Sequence, residues 1–170
     1  MENREDISKA MSILIEEQGV LFEKSYKLSP VAARVLSVLV INGSKGVTFD
    51  FLIEIVSASK ATISSSLKTL SDRKMISYFT KPGDRKRYFT INKTFFISLL
   101  EEEAEKSRRS LAMHEKINEF KKLSNTLLED DEKFEMPNSE PSLYARYLHG
   151  MINNLDSFIK DLKKYHSLEE

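Results

Sequence analysis

The sequence contains no cysteine and no tryptophan, and only five of its 170 residues are glycine and four are proline. The absence of cysteine excludes disulfides, thiolate metal sites and thiol-based catalysis, and it fits a reducing compartment. Scarce glycine and proline, with 41% hydrophobic residues, argue against disorder or low complexity. We therefore expect one domain, or one domain with appended helices, in which helix is the dominant secondary structure.

Long apolar runs are also missing. No stretch approaches the ~20 residues that a membrane-spanning helix requires. The N-terminal residues MENREDISKAM lack the basic and then apolar layout of a signal peptide. We expect a cytoplasmic protein that has no membrane partner.

Residue patterns that are typical of active sites and metal centres are absent as well. His114, His149 and His166 lie far apart and lack the spacing of metal ligands. The acidic runs at 101–105 and 129–132 have no apolar surroundings that would raise the pKa of a carboxyl group. There is no phosphate-binding loop and no nucleophile elbow. We expect no enzyme activity, no metal and no cofactor.

The 26 basic and 26 acidic residues cancel in number but are unevenly distributed. Between Ser57 and Lys93, nine Lys or Arg residues face only Asp72 and Asp84, so this segment carries a charge of +7 and the remainder −7. A concentrated positive field attracts polyanions whatever the total charge of the molecule is. The distribution therefore predicts a polyanionic partner for this segment.

Two helices are predicted before this basic segment. Ser29 is a suitable N-cap and Pro30 suits the first helical position of a mostly apolar, buried helix that ends before Gly43. An earlier helix, over residues 5–26, is predicted from a stripe that repeats at alternating spacings of four and three residues. The stripe consists of Ile7, Met11, Leu14, Gln18 and Leu21.

Two further helices follow at short range. Thr48 can cap a short helix that ends near Ser57, and Ser59 can cap the next one, which extends to about Arg73. A short helix, a turn of about three residues and a second helix form the helix-turn-helix layout. The inner face of the second helix is predicted to contain Ile63, Leu67 and Leu70.

The opposite face of that second helix is small and rich in hydroxyl groups. Small side chains allow close approach to a DNA groove, hydroxyls can donate to phosphates or base edges, and Lys60 and Lys68 supply positive charge. The pattern predicts a recognition helix, although a solvated surface helix would also be polar. The outward residues are Ala61, Thr62, Ser64, Ser65, Lys68, Thr69 and Asp72.

The segments MISYFTK and RYFTIN flank a Pro-Gly-Asp turn and predict a β-hairpin, so the whole layout is a winged helix. Arg85 is assigned to the minor groove beside a docked recognition helix, where the negative potential favours Arg. We expect Asp84 to brace Arg85, Lys86 and Arg87 to contact phosphates, and Tyr88 and Phe89 to anchor the strand. The alternative is that these cations only protect a hairpin edge from aggregation.

The segment SASKATISSSLKTLSDRKMISYFTKPGDRKRYF resembles the winged-helix core of MarR-type transcription regulators and is most similar to the GbsR branch. The resemblance covers Leu28 to about Asn92. It differs at Lys74, where the family commonly has Gly: either a left-handed helix end there costs about 1 kcal/mol, or the helix ends in a different way. The DNA-binding positions that the resemblance implies are Ser59, Lys60, Ala61, Thr62, Ser64, Ser65, Lys68, Arg85, Lys86 and Arg87.

Both termini offer apolar surfaces for a homodimer, which would place two recognition helices about 34 Å apart. A heptad pattern in the last helix supplies one surface and the stripe of the first helix supplies another, unless these stripes pack within one chain. We divide the chain into a packing or dimerisation helix (1–27), a DNA-binding domain (28–93) and C-terminal dimerisation and effector helices (94–170). The heptad residues are Tyr144, Leu148, Met151, Leu155, Phe158, Leu162 and Tyr165.

The predicted fold is thus mainly α with a small β-hairpin wing, and the predicted function is a homodimeric regulator that binds double-stranded DNA. The family resemblance implies a repressor whose DNA affinity changes when an unidentified small-molecule effector binds. GbsR-like relatives suggest quaternary amines, which require an aromatic cage. The alternative function is a winged-helix module for protein–protein interaction. Aromatic residues available for a cage are Tyr26, Phe120, Tyr144, Tyr147, Phe158 and Tyr165.

Overall fold

The computed structural model describes residues 3–167, with side chains up to Tyr165, and has six helices and three short strands within that range. The chain divides into two compact units after Phe95. The prediction of a mainly helical fold with a β-hairpin is confirmed. The elements are α1 (Arg4–Tyr26), α2 (Pro30–Asn42), a short 3-10 turn (Gly43–Lys45), β1 (Val47–Thr48), α3 (Phe49–Val56), α4 (Lys60–Asp72), β2 (Ile76–Thr80), β3 (Arg87–Ile91), α5 (Phe95–Ser124) and α6 (Leu143–Ser167).

Helix α2 is the centre of the N-terminal unit. The Ser29 hydroxyl accepts a hydrogen bond from the backbone N–H of Ala32, so the predicted cap is confirmed. Seven of the 13 residues of α2 are buried, which leaves it little contact with solvent. It packs against Leu52 of α3 and against the inner face of α4 in one continuous core. The helix-turn-helix is therefore built directly on α2.

Helix α1 packs on α2 through a different face from the stripe that its periodicity revealed. Ile15 and Gly19 are buried, and Gly19 lies so close to α2 that an added Cβ would stand 3.0 Å from Cγ of Arg34. Arg34 in turn bonds Glu16 and Glu23 of α1. Of the predicted stripe, Met11 packs against the core, but three members face solvent: Ile7 is 56% exposed, Leu14 53% and Leu21 58%.

The three strands form one antiparallel sheet in the order β1-β3-β2. Thr80 pairs with Arg87 and Tyr78 with Phe89, as a β2–β3 hairpin requires. Strand β1, in which Val47 pairs with Phe89, was not predicted, because two residues are too few to show alternation. The sheet fixes the base of the hairpin to the segment that precedes α3.

The C-terminal unit contains most of α5, the connecting loop and α6. Leu111 packs against Ala145, Leu148 and Ile152, so part of the predicted heptad pattern is used within the chain. Tyr144 and Phe158 of that pattern remain 49% and 47% exposed. No helix in residues 3–167 is long and apolar enough to cross a membrane.

Candidate nucleic-acid interface

The turn between α3 and α4 is formed by three residues, as predicted. The Thr48 hydroxyl caps α3 by accepting from the N–H of Phe51, and α3 ends at Ser57, which has a left-handed φ of 52°. Ser59 then caps α4, since its hydroxyl accepts from the N–H of Thr62 at 3.2 Å. Both predicted caps are confirmed, and together they fix where the second helix of the motif begins.

Helix α4 has the predicted inner and outer faces. Ile63 and Leu70 are fully buried and Leu67 nearly so. All the residues that were assigned to the outer face are exposed: Ala61, Thr62, Ser64, Ser65, Lys68, Thr69 and Asp72. The helix therefore presents a small, hydroxyl-rich surface to solvent.

The hydroxyl groups of this surface are not equivalent. Those of Ser59 and Thr62 lie 2.8 Å apart and share a hydrogen bond, and that of Thr69 donates to the carbonyl of Ser65. The hydroxyls of Ser64 and Ser65 make no hydrogen bond to any residue in the described part of the chain. These two groups are therefore the ones available to donate to an external acceptor.

Helix α4 ends in a left-handed residue although that residue is not glycine. Lys74 has a φ of 56°. Its N–H donates to the carbonyl of Ser71 at 2.8 Å, and the N–H of Met75 donates to that of Leu70 at 3.0 Å. These two bonds define a Schellman motif. Of the two alternatives, the left-handed helix end is the one present, and a lysine occupies the strained position.

The tip of the hairpin is a tight turn. The N–H of Asp84 donates to the carbonyl of Lys81 at 3.0 Å, Pro82 lies at the second position and Gly83 has a φ of 77°. Proline followed by a positive-φ glycine is typical of a type II turn. The four residues therefore fix the direction in which Arg85 leaves the turn.

Asp84 holds the wing, but not by the contact that we expected. Its carboxylate accepts from the N–H of Lys86 at 2.8 Å and from the hydroxyl of Tyr88 at 2.7 Å. No hydrogen bond or salt bridge between Asp84 and Arg85 occurs among the described contacts, so the expected bracing of Arg85 is wrong. The Lys86 N–H and then the Tyr88 hydroxyl lower the pKa of Asp84, and the carboxylate raises the pKa of Tyr88.

The two faces of the hairpin have different partners. On one face the guanidinium of Arg87 lies 4.7 Å from the centre of the Tyr78 ring. On the other face Tyr88 stacks on Phe79, and the ammonium of Lys81 lies 4.0 Å from the Tyr88 ring centre. Tyr88 thus packs within the wing, whereas Phe89 packs against the core. Cation–π contacts restrain two of the wing cations.

A groove of about 450 Å³ runs between α4 and the wing. Ser64 and Lys68 line it from α4, while Lys86 and Arg87 line it from the hairpin. The remaining predicted site residues are exposed but do not line this groove; they are Ser59, Lys60, Ala61, Thr62, Ser65 and Arg85. Sequence reasoning assigned no role at this surface to five lining residues, of which only Tyr78 could have been found, from its place diagonal to Arg87 in the hairpin register. The five are Thr48, Phe49, Asp50, Ser71 and Tyr78.

The cations of this surface lack anionic partners within residues 3–167. By contrast, Arg34 and Arg108 both form salt bridges. Around the groove Lys68, Lys86 and Arg87 outnumber the acidic lining residue Asp50, and such an excess of positive charge attracts phosphate. The cations that form no salt bridge with a described residue are Lys60, Lys68, Arg85, Lys86 and Arg87.

Neither a protein-family model nor a curated protein sequence matches the chain. Solved structures are similar to it at low identity. A transcriptional regulator has a TM-score of 0.47 at 21% identity, covering 92% of this chain and 95% of that chain. MepR, a transcription regulator of the Staphylococcus aureus multidrug efflux pump MepA, has a TM-score of 0.40 at 16% identity, covering 93% and 94%. MepR in an S. aureus MepR–DNA complex has a TM-score of 0.40 at 13% identity, covering 66% and 96%.

Proposed function

We propose that this chain is a sequence-specific, DNA-binding transcriptional regulator of the MarR type, in the GbsR branch. The observation that carries the proposal is the set of five exposed cations, without salt-bridge partners in the described residues, on α4 and the adjoining wing. Lys60 and Lys68 lie on a helix, which has no strand edge to protect, so edge protection alone does not account for the five cations. Their spacing on both sides of one groove suits a duplex backbone.

In this proposal α4 lies in the major groove. Ser64 and Ser65 have free hydroxyls and Lys68 has a free ammonium, so these three residues can read base edges. Ala61 is small enough to let the helix approach closely. Lys60, at the N-terminal end of α4, contacts a phosphate together with the positive end of the helix dipole. Ser59 and Thr62 contribute to DNA binding by capping and by the hydroxyl that they share.

The wing lies over the neighbouring minor groove. Arg85 follows the type II turn, makes no contact that would hold it to the protein among the described residues, and enters the groove. Lys86 contacts a phosphate. Arg87 also contacts a phosphate, but from a position that the Tyr78 ring restrains. Asp84 acts as a positioning residue, because it holds the backbone from which both Arg85 and Lys86 extend.

The regulator acts as a homodimer, and helix α1 supplies one of its surfaces. Ile7, Leu14 and Leu21 repeat every seven residues and are each more than half exposed. Their spacing is symmetric about Leu14, so two antiparallel copies of α1 related by a two-fold axis would place Leu14 against Leu14 and Ile7 against Leu21. Tyr144 and Phe158 of α6 supply further exposed apolar surface. The segments 1–27 and 94–170 thus serve dimerisation, and 28–93 binds DNA.

The resemblance to MarR-type regulators supports two further parts of the proposal. The protein is a cytoplasmic repressor, and a small effector changes its affinity for DNA. Effector control requires a coupling free energy between two sites, so a bound effector must favour one of two states of the dimer.

Binding to duplex DNA at a series of salt concentrations, followed by fluorescence anisotropy, tests the proposal. The three phosphate-contacting cations of each protomer, Lys60, Lys86 and Arg87, predict a log-log slope of about −2.7 for one bound protomer and about −5.4 for a dimer. Lys86→Ala should reduce the magnitude of the slope by about 1 per protomer, equally on all sequences. Lys106→Ala is the matched control, because Lys106 already pairs with Glu103 and should leave the slope unchanged.

Lys68→Ala should instead change the ranking of DNA sequences, since Lys68 is assigned to base readout. An absence of DNA binding even at low salt would overturn the regulator proposal. If such a protein were retained by an acidic protein surface through the same cations, the winged helix would serve protein–protein interaction.

A further inference from the structure

The described lining of the groove between α4 and the wing includes one tyrosine, Tyr78 of β2. Its side chain is 54% exposed. Ser64 and Lys68 line the same groove from α4, and Lys86 and Arg87 line it from the hairpin. Tyr78 therefore shares the groove with residues of both the helix and the wing that are proposed to bind DNA.

Two contacts hold the ring of Tyr78 in place. Tyr78 pairs with Phe89 in the register of β2 and β3, and the two ring centres lie 6.1 Å apart. Phe89 in turn packs against the core of the N-terminal unit. The guanidinium of Arg87 lies 4.7 Å from the centre of the Tyr78 ring. Because the ring is already ordered, little side-chain freedom is lost when it contacts a partner.

The hydroxyl group of Tyr78 forms no hydrogen bond with any residue in the described part of the chain. The other tyrosine of the hairpin, Tyr88, lies on the opposite face, where its hydroxyl donates to the carboxylate of Asp84 at 2.7 Å. A tyrosine hydroxyl is one of the groups that donate to the phosphate oxygens of DNA. Of the two phenolic hydroxyls of the hairpin, that of Tyr78 is the one available for such a contact.

The rest of the groove lining combines positive charge with apolar surface. Phe49 and Leu67 contribute apolar carbon, and Asp50 is the one acidic residue in the described lining. A sugar-phosphate strand has the complementary properties, because its phosphates are anionic and its deoxyribose rings are rich in C–H groups. The cations of the lining are Lys68, Lys86 and Arg87.

The proposed docking on DNA determines what passes through this groove. Helix α4 lies in the major groove and the wing lies over the neighbouring minor groove, as proposed above. Adjacent grooves of a duplex are separated by one sugar-phosphate strand. That strand must therefore cross the protein surface between α4 and the wing, where Tyr78 lies.

We infer, on the basis of the proposed DNA binding, that Tyr78 contacts the sugar-phosphate strand that separates the two grooves. Its hydroxyl donates a hydrogen bond to a phosphate oxygen. Tyr78 is also a positioning residue for Arg87, because its ring holds the guanidinium beside the same strand. Neither contact involves a base edge, so both strengthen binding to all sequences alike.

Fluorescence anisotropy of the full chain with a duplex of arbitrary sequence, at a series of salt concentrations, tests the phosphate contact. Tyr78→Phe removes the hydroxyl but keeps the ring, and it should raise the Kd about fivefold for each bound protomer. The log-log salt slope should stay unchanged, because an uncharged hydroxyl releases no counterion. Tyr147→Phe is the matched control: it removes the hydroxyl of an exposed tyrosine in α6 and should leave the Kd unchanged.

A double-mutant cycle in the same assay tests the positioning of Arg87. Tyr78→Leu removes both the hydroxyl and the ring, so it should raise the Kd more than Tyr78→Phe does. In an Arg87→Ala background the two substitutions should raise the Kd by similar factors, since no guanidinium is left to position. Circular dichroism melting of each variant separates loss of the contact from loss of folding.

Two results would overturn the phosphate contact and leave the regulator proposal intact. One is that the wild-type protein and Tyr78→Phe bind the duplex equally well, and the other is that Tyr78→Phe lowers the magnitude of the salt slope. An equal excess loss from Tyr78→Leu in both backgrounds would refute the positioning of Arg87. If the wild-type protein does not bind the duplex at low salt, the proposed function fails, and the inference about Tyr78 fails with it.

Discussion

Replacing Lys74 by glycine should stabilise the N-terminal unit. Lys74 has a left-handed φ of 56°, yet the two hydrogen bonds of the Schellman motif are already formed around it. Glycine can therefore occupy the position without any movement of the backbone. The side chain of Lys74 makes no hydrogen bond or salt bridge within the described residues, and it is exposed, so little is lost when it is removed.

The size of the effect follows from the Cβ of Lys74, which a left-handed conformation brings too close to the following carbonyl oxygen. This contact costs about 1–2 kcal/mol, and the greater freedom of glycine in the unfolded chain offsets about 0.4–1 kcal/mol of the gain. We expect Lys74→Gly to increase the free energy of unfolding by about 1 kcal/mol. For a chain of this size that is a rise in Tm of about 2–4 °C.

Urea denaturation followed by circular dichroism measures this change, and Lys74→Ala is the matched control. Alanine removes the same charge but keeps the Cβ, so its free energy of unfolding should stay within about 0.5 kcal/mol of the parent value. Equal stabilisation by both variants would show that charge repulsion, not backbone strain, is relieved. Destabilisation by Lys74→Gly would refute the assignment of the helix end.

Three further predictions concern the sheet, the wing and the dimer. Gly46→Ala should lower the free energy of unfolding by about 1–3 kcal/mol in urea denaturation, because a Cβ there would stand 2.9 Å from the Phe79 ring; an unchanged midpoint would contradict that contact. Asp84→Asn should lower the pKa of Tyr88 towards its ordinary value in NMR titrations of labelled tyrosine, since the carboxylate that raises it is gone. In the wild-type protein the pKa of Asp84 is lowered, so its contribution to the free energy of unfolding should be present at neutral pH and be lost as the pH falls through that pKa. Leu14→Glu should convert dimer to monomer in sedimentation velocity runs, whereas Ser12→Glu, which adds the same charge beside the stripe, should not.

The local signals in the sequence were the most informative. Ser29, Thr48 and Ser59 each cap the helix that they were predicted to cap, because an N-cap bonds a backbone N–H only three residues away. The inner face of α4 was also predicted correctly, since Ile63 and Leu70 follow the helical period. Helix α4 and its outward face could thus be placed from the sequence alone.

Features that depend on tertiary packing could not be predicted in this way. Helix α1 carries two stripes, and periodicity selected the one with Leu14, whereas burial selected the one with Ile15 and Gly19. A search for periodic apolar residues does not count glycine. Gly19 nevertheless belongs to the buried face, because its lack of a side chain lets α1 pack closely on Arg34. Which stripe faces the core is decided by α2, and a single helix does not contain that information.

The contacts of the wing were missed for a related reason. Asp84 was paired with its sequence neighbour Arg85, but the type II turn directs its carboxylate towards the N–H of Lys86 and the hydroxyl of Tyr88. The groove between α4 and the wing likewise depends on how the hairpin lies beside the helix. Its lining residue Thr48 lies 38 positions before Lys86 in the sequence, and the pairing of β1 with β3 brings the two segments together.

The central claim is that two copies of this chain read a specific DNA sequence with α4 and the wing, and selection of bound sequences from a random duplex pool tests it most directly. We predict enrichment of an inverted repeat whose half-sites are centred about 10 base pairs apart, the distance that places two recognition helices in successive major grooves. Lys68→Ala should change the bases that are selected within each half-site. A pool that shows no enrichment after selection, or enrichment of a single half-site without symmetry, would contradict the claim.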